Sequence, residues 1–235
     1  MPGDHSCSFI TYVRFCLVVL EEECVCLYLQ IASNILTQRE ETTLRKIIAS
    51  TRVTLDGFIA GPHGEMDWME EFLDEALANY ESELQKTVDT TLFGRVTYEG
   101  FESYWPKVAL DPASPKGLVE YANQLNAMRK IVFSKTLSRV EWNNSTLVKE
   151  IVPEEIIKMK QEPGRDMVIY GSASIVRTLT NLGLIDTYQL LVYPVVLGSG
   201  KPLFQDISRK VKLSLVSTKT HPSGVVVLTY RPIKE

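Results

Sequence analysis

From residue 44 onward the apolar positions switch repeatedly between two periods. Residues 46–53 (KIIASTRV) are β-branched and bounded by polar residues, which predicts a strand. Over residues 69–88, Leu73, Leu77, Tyr80, Leu84 and Val88 recur every three or four positions, the spacing of one helix face. Glu70, Glu71, Asp74 and Glu75 crowd the first turns of that segment, where the helix dipole favours acids. The same reading predicts strands over 90–93, 130–133, 167–170 and 187–196, and helices from 97, over 116–126, over 153–161 and over 173–182. Pro163-Gly164 and Gly183 supply helix stops. Residues 211–219 and 225–230 read as a hairpin across His221-Pro222-Ser223-Gly224. Strand and helix in alternation, then a β-rich tail, predict one α/β domain with a mixed, mostly parallel sheet and an antiparallel closing edge.

The first 43 residues break this pattern. They hold all four cysteines (Cys7, Cys16, Cys24 and Cys26) and carry six acids against two bases, whereas the remaining 192 residues are charge-neutral. The apolar run 9–20 has no basic residue close before it, is interrupted by Arg14 and is followed by Glu21-Glu22-Glu23, so it does not read as a secretion signal. Cys24-Val25-Cys26 has no neighbouring His, and no metal site is expected. The division expected is therefore 1–43 as an atypical extension, disordered or preceding a true start near Leu44, and 44–235 as the folded domain. With no cysteine in that domain, the expected setting is reducing and cytoplasmic.

Composition narrows the function classes. The 235 residues are 45% hydrophobic and 23% charged, with net charge −4. That is globular composition without the basic field of a nucleic-acid binder. No uncharged apolar run is long enough to predict a membrane span.

Two predicted strand-to-helix turns carry candidate chemistry. In the first, Gly94-Arg95-Val96-Thr97-Tyr98-Glu99, a glycine admits close backbone approach, the free N–H groups of a helix start attract an anion, and Arg95 and Thr97 add donors. Gly171-Ser172-Ala173-Ser174-Ile175 repeats the arrangement with small residues. Singly, each reads equally well as a surface Arg at a helix start or an N-cap serine turn. Together, at the carboxyl edge of one sheet, they predict a pyrophosphate-bearing ligand. Neither turn is GxGxxG or a P-loop. Ser134 and Lys135 follow a strand at the same predicted edge and suit either a nucleotide phosphate or a plain polar loop. Asp56 and Gly57 lie in a loop after the first strand, where Asp56 suits a substrate amino or hydroxyl group, or an Asx turn. Trp68 precedes the long helix, and residues 193–204 run from a strand into a Gly-rich turn. There is no GxSxG, no HExxH, and His5, His63 and His221 stand apart, a poverty that suits chemistry carried by a cofactor.

In this order, KIIASTRVTLDGFIAG, GEMDWM, LFGRVTYEGF, IVFSKTL, VIYGSASIVRTL and LLVYPVVLGSGKPLF resemble the dihydrofolate-reductase-like family, in particular the riboflavin-biosynthesis reductase (RibD C-terminal) domain and its stand-alone bacterial relatives. The resemblance covers about residues 44–232. It implies a three-layer α/β/α domain, NADPH as cofactor and a homodimer. It assigns Gly94, Arg95, Thr97, Tyr98, Ser134, Lys135, Gly171, Ser172, Ala173, Ser174 and Ile175 to the cofactor, and Asp56 to catalysis. Gly57, Trp68, Pro194, Leu197, Gly198 and Gly200 fall on the substrate side. The HxE and PCxxC motifs of the zinc deaminase half are absent, and LDGFIAG and MDW are those of the stand-alone type. An acid on the first helix contacts the pterin in true dihydrofolate reductases, and Glu70, Glu71 and Asp74 are the candidates here. The function expected is NADPH-dependent reduction of a small heterocycle, a pyrimidinone or a pterin. A non-catalytic nucleotide- or ligand-binding protein on the same fold is the alternative.

Overall fold

A computed structural model describes residues 44–72 and 74–233. The expected N-terminal extension lies outside the described residues.

Among the described residues ten strands and five α-helices follow one another. The strands are β1 (Ile47–Thr54), β2 (Phe58–Ala60), β3 (Val88–Gly94), β4 (Arg129–Phe133), β5 (Ser145–Val148), β6 (Asp166–Tyr170), β7 (Thr187–Tyr193), β8 (Lys201–Pro202), β9 (Leu213–Thr220) and β10 (Val226–Pro232). The helices are α1 (Glu75–Thr87), α2 (Arg95–Leu110), α3 (Lys116–Ala127), α4 (Pro153–Gln161) and α5 (Ala173–Asn181). Eight strands form one sheet in the order β5-β4-β3-β6-β1-β7-β10-β9, and β2 pairs with β8 in a separate ribbon. Pairing is parallel from β5 through β7, while β10 runs antiparallel to both β7 and β9. This is the mixed, mostly parallel sheet that the alternation of periods predicts.

Strand alternation sorts the core into two faces. Ile47, Ala49 and Val53 of β1 pack with Ile156 of α4 and with Ile175, Val176 and Leu179 of α5. Ile48 faces the other way, into a cluster with Phe93, Tyr98 of α2 and Leu125 of α3. A third cluster gathers Leu77 of α1 with Trp68, Leu191, Tyr193, Val225 and Val227. Helices thus cover both faces of the sheet, giving three layers.

The boundaries differ from the sequence reading in instructive places. The helix expected from residue 69 begins later. Residues Asp67–Phe72 form a 3-10 turn, and Asp74 caps α1 by accepting the Leu77 N–H at 2.7 Å. The short strands β2, β5 and β8 have too few residues to show a period. Helix α2 opens directly at the end of β3, with Gly94 as its N-cap and no side-chain cap.

Candidate functional site: two uncapped helix starts and a seam of tyrosines

Strands β3 and β6 are sheet neighbours, so the turns that leave them lie side by side at the carboxyl edge. Ser172 joins them. It sits at the N-cap of α5 with φ +46°, a region L residues rarely adopt, and its side chain does not cap its own helix. Instead Ser172 Oγ accepts the Gly94 N–H across the gap at 3.1 Å. Both helix starts are left without a side-chain cap, and their first backbone N–H groups have no intrahelical acceptor. A Cβ at Gly94 would stand 3.2 Å from Ser174 Oγ, a measure of how closely the two turns approach. A pair of uncapped helix N-termini held in register is a cradle for an anion with two phosphate groups.

The side chains expected around this cradle divide. Arg95 is half-exposed and paired with Glu99 at 2.9 Å, one turn along α2. Lys135 is exposed and paired with Glu150 at 3.1 Å. Such surface pairs contribute about 0–1 kcal/mol, so a phosphate dianion can take either cation from its carboxylate. Thr97 is half-buried and Ser174 exposed, both at the turns. Gly171 donates its N–H to Ser50 O, holding the second turn to β1.

Four of the expected cofactor contacts are turned inward. Tyr98 is 1% exposed; its hydroxyl donates to Glu102 at 2.7 Å and accepts from the Trp142 N–H at 3.0 Å, which makes it a core residue. Ala173 and Ile175 are buried against the sheet and lend the cradle only their backbone. Ser134 Oγ accepts the N–H groups of Thr136 and Leu137 and closes its own turn.

On the substrate side the structure joins two loops that are 141 residues apart in sequence. Asp56 Oδ1 accepts from Thr54 Oγ1 at 2.6 Å and from the Leu197 N–H at 3.3 Å, while Oδ2 accepts from the Gly198 N–H at 2.7 Å. The Thr54 hydroxyl, with the two backbone donors, holds the Asp56 carboxyl below its ordinary range. Asp56 is the residue expected in catalysis; in this structure both of its carboxylate oxygens also accept hydrogen bonds that tie the first loop to residues 197–198. Gly57 continues the stitching by accepting the Leu203 N–H and donating to Thr54 O. Gly200 permits β8 to lie on β2, because a Cβ there would collide with Ala60 O and the Phe58 ring. Pro194 and Gly198 are exposed and Leu197 half-buried along the same loop. Trp68 is 8% exposed and meets Tyr193 edge-on at 5.2 Å, a core contact rather than an open ligand surface.

None of the acids expected on the first helix faces the sheet. Glu70 and Glu71 belong to the 3-10 turn, and Asp74 is occupied by Leu77 N–H and Ser223 N–H. The acid that does face the sheet is Glu81. It pairs bidentately with Arg52 of β1, at 2.8 Å and 2.7 Å from Nη2 and 3.0 Å from Nε. Burial works against the Arg52 charge, but Glu81 more than offsets it, and the guanidinium pKa lies above its ordinary value. Around this pair stand Tyr121 of α3, Tyr170 at the end of β6 and Tyr193 at the end of β7. All three are pushed up in pKa first by burial; the Glu81 charge adds to it at each, and at Tyr170 the Tyr121 neighbour contributes more than Glu81 does. The sequence held a signal for this group: Arg52 interrupts an otherwise uncharged strand, and Glu81 falls on the apolar stripe of Leu77, Tyr80 and Leu84. Among the described residues no cluster of His, Cys, Asp or Glu is arranged to hold a metal, and no helix is long and apolar enough to cross a membrane.

Known proteins are similar to this chain in sequence and in fold. The model of the RibD C-terminal domain matches residues 45–227. Uncharacterized protein YyaP of Bacillus subtilis (strain 168) is 39% identical over 186 residues, covering 79% of this chain and 94% of its own length. The crystal structure of a putative riboflavin biosynthesis protein from Shewanella sp. PV-4 is similar with TM-score 0.61 and 20% identity, over 80% of this chain and 99% of that one. Dihydrofolate reductase from Enterococcus faecalis, complexed with NADP(H), is similar in fold with TM-score 0.52 and 18% identity, over 80% of this chain and 97% of that one.

Proposed function

The chain belongs to the RibD C-terminal domain family, and on that premise we propose that it is an NADPH-dependent reductase of a small nitrogen heterocycle, a pyrimidinone or a pterin, of the riboflavin-biosynthesis type. The observation that carries this reading is the Ser172 Oγ–Gly94 N–H bond. It holds two uncapped helix starts side by side, a donor array suited to a dinucleotide pyrophosphate. Arg95, drawn from Glu99, would hold the phosphate that distinguishes NADPH from NADH. NADPH, when bound, supplies a hydride to a C=N or C=O carbon. The chain supplies orientation. The Asp56 clamp fixes the loop of residues 194–200 over the carboxyl ends of β1 and β7, and the matching proton reaches the substrate heteroatom from solvent.

The test is a fluorescence titration of the full chain with NADPH and with NADH, with Arg95→Ala alongside. Tighter binding of NADPH than of NADH is expected, with the substitution weakening NADPH about tenfold. Equal binding of both nucleotides, or binding indifferent to Arg95, would overturn the cofactor assignment.

A second reading has an observation in its favour. Asp56 and Glu81 both spend their carboxylates on hydrogen bonds within the chain, which suits a nucleotide-binding protein without catalysis. NADPH oxidation in the presence of pyrimidine and pterin carbonyl compounds separates the two. We also place the protein in the cytoplasm as a homodimer; edge strand β9 exposes Leu215 and Val216, and sedimentation velocity tests the stoichiometry.

A further inference from the structure

Tyr98 lies one turn after Arg95 on α2, inside a turn of the phosphate-binding type, yet its ring is buried with Phe93 and Trp142. Its hydroxyl donates to Glu102 Oε1 at 2.7 Å and accepts the N–H groups of Glu141 at 3.1 Å and Trp142 at 3.0 Å. Glu102 Oε1 shares the Trp142 N–H at 2.9 Å. Burial first, and then Glu102, pushes the phenol up in pKa, so it keeps the proton that it donates. One donor and two acceptor bonds are more than a buried tyrosine needs for its own satisfaction.

What these bonds hold is the segment of residues 134–142, between β4 and β5, which carries Lys135. Ser134 Oγ fastens its start by accepting the Thr136 and Leu137 N–H groups. Leu137 and Val140 pack against the cluster that contains Tyr98, and Tyr98 and Glu102 fasten the far end. Lys135 itself is exposed and meets only Glu150, so its place is set by the backbone that bears it. Gly94 pairs with Phe133, so Arg95 and Ser134 leave neighbouring strands at one level. A single helix thus opens with one cation and holds the loop that carries the other.

The order of strands gives this arrangement a use. The Asp56 clamp stands over β1 and β7, the two uncapped helix starts follow β6 and β3, and β4 is next in the sheet. A dinucleotide with its pyrophosphate at the helix starts and its reacting end toward β1 and β7 would turn its other end toward β4. A further phosphate at that end would meet Arg95 and Lys135 together. The attraction of exposed cations falls with distance, so two of them serve one dianion only while their spacing is fixed. We propose that Tyr98 is a positioning residue for cofactor selectivity: by holding residues 141–142 to α2 it keeps Lys135 beside Arg95, so that both cations act on one phosphate. This rests on the reductase reading and adds how that site selects its cofactor.

The experiment titrates the full chain with NADPH and with NADH by fluorescence, comparing the unsubstituted protein with Tyr98→Phe, Lys135→Ala and the double variant. Tyr98→Phe keeps the ring and removes the oxygen. It is expected to weaken NADPH about fivefold and NADH by less than about twofold. Lys135→Ala is expected to weaken NADPH by at least as much. Because Tyr98 acts through Lys135, the double variant should bind NADPH no more weakly than Lys135→Ala alone. Glu102→Gln keeps an acceptor oxygen and should retain the original selectivity. Equal weakening of both nucleotides in Tyr98→Phe, no weakening at all, or losses that multiply in the double variant would each overturn the proposal. If Tyr98→Phe does not fold, Glu102→Ala takes its place, with the same selective, non-multiplying loss expected. The parent reading fails separately. Absence of binding by either nucleotide to the unsubstituted protein would remove the cofactor assignment and this role with it, whereas NADPH selectivity that depends on Arg95 and Lys135 but not on Tyr98 would remove the positioning role alone.

Discussion

At the amino edge of the sheet Arg45, 4% exposed, donates to Asp89, to Thr90 Oγ1 at 2.7 Å and to Arg165 O at 2.5 Å. Asp166 accepts the Lys46 N–H there, and Asp186 accepts both the Ile47 N–H and Lys160. At the carboxyl edge of the same strands Gly94 and Ser172 open helices without capping them, and Arg95 and Lys135 hold only surface partners. Both edges are built from strand ends and charged residues. At the first, side chains of the chain itself satisfy the polar groups, which ties β1, β3 and β6 together. At the second, donors are left for something else to satisfy. The contrast separates polar groups satisfied within the chain from polar groups left open, and the proposed cofactor site lies among the second.

The contrast can be broken at its strongest point first. Arg45→Met leaves Asp89 without its partner in a part-buried position. It is expected to lower stability by about 2–4 kcal/mol in urea unfolding while leaving NADPH affinity of the folded protein unchanged. Arg95→Ala is the opposite case. It removes an exposed intrahelical pair, so stability should move by under about 0.5 kcal/mol, while NADPH affinity falls about tenfold and NADH affinity hardly changes. A large stability loss there would show that Arg95 belongs with the holding groups. Gly94→Ala sharpens the comparison because it touches both terms. The new Cβ crowds Ser174 Oγ, so about 1 kcal/mol of stability and a several-fold loss of dinucleotide affinity are expected together, read by thermal melts and fluorescence titration.

The smallest effect concerns pH. The folded-state pKa of Asp56 is lowered from the ordinary Asp value of 3.8, so the clamp's contribution is complete above that value and is lost as pH falls through the lower, folded-state pKa. Protection of the Gly198 amide from hydrogen exchange should therefore stay flat from neutral pH to about 4 and decline only below it. A decline centred near pH 6 would assign the clamp to some other group.

How much of this could be read beforehand depends on the range of the interaction involved. The two phosphate-type turns were legible because each is local: a strand end, a glycine and a helix start within a few residues. Their adjacency followed from the α/β alternation, but the bond from Ser172 to Gly94 spans 78 residues and carries no sequence period. Tyr98 illustrates the opposite failure. It sits inside the GRVTYE turn, yet helix periodicity turns it toward Phe93 and Trp142, and its hydroxyl serves the chain at residues 141–142. Lys130 carries no such signal in the sequence: in the strand it is fully buried, with three backbone carbonyls around its ammonium and the Trp142 ring 4.3 Å away.

What the sequence by itself determined is the set of elements and their class. Period, glycine placement and helix-start chemistry act over ten residues or fewer, and they suffice to predict a mostly parallel sheet with two anion-binding turns at one edge. What only the tertiary structure decided is which polar groups are left over. Asp56 is occupied because residues 197 and 198 arrive from a distant part of the chain, and Glu81 is the first-helix acid drawn to the sheet because Arg52 lies opposite it on β1. A side chain's partners are set by long-range packing, and whether a donor is satisfied inside the molecule or remains for a ligand is known only when every neighbour is in place.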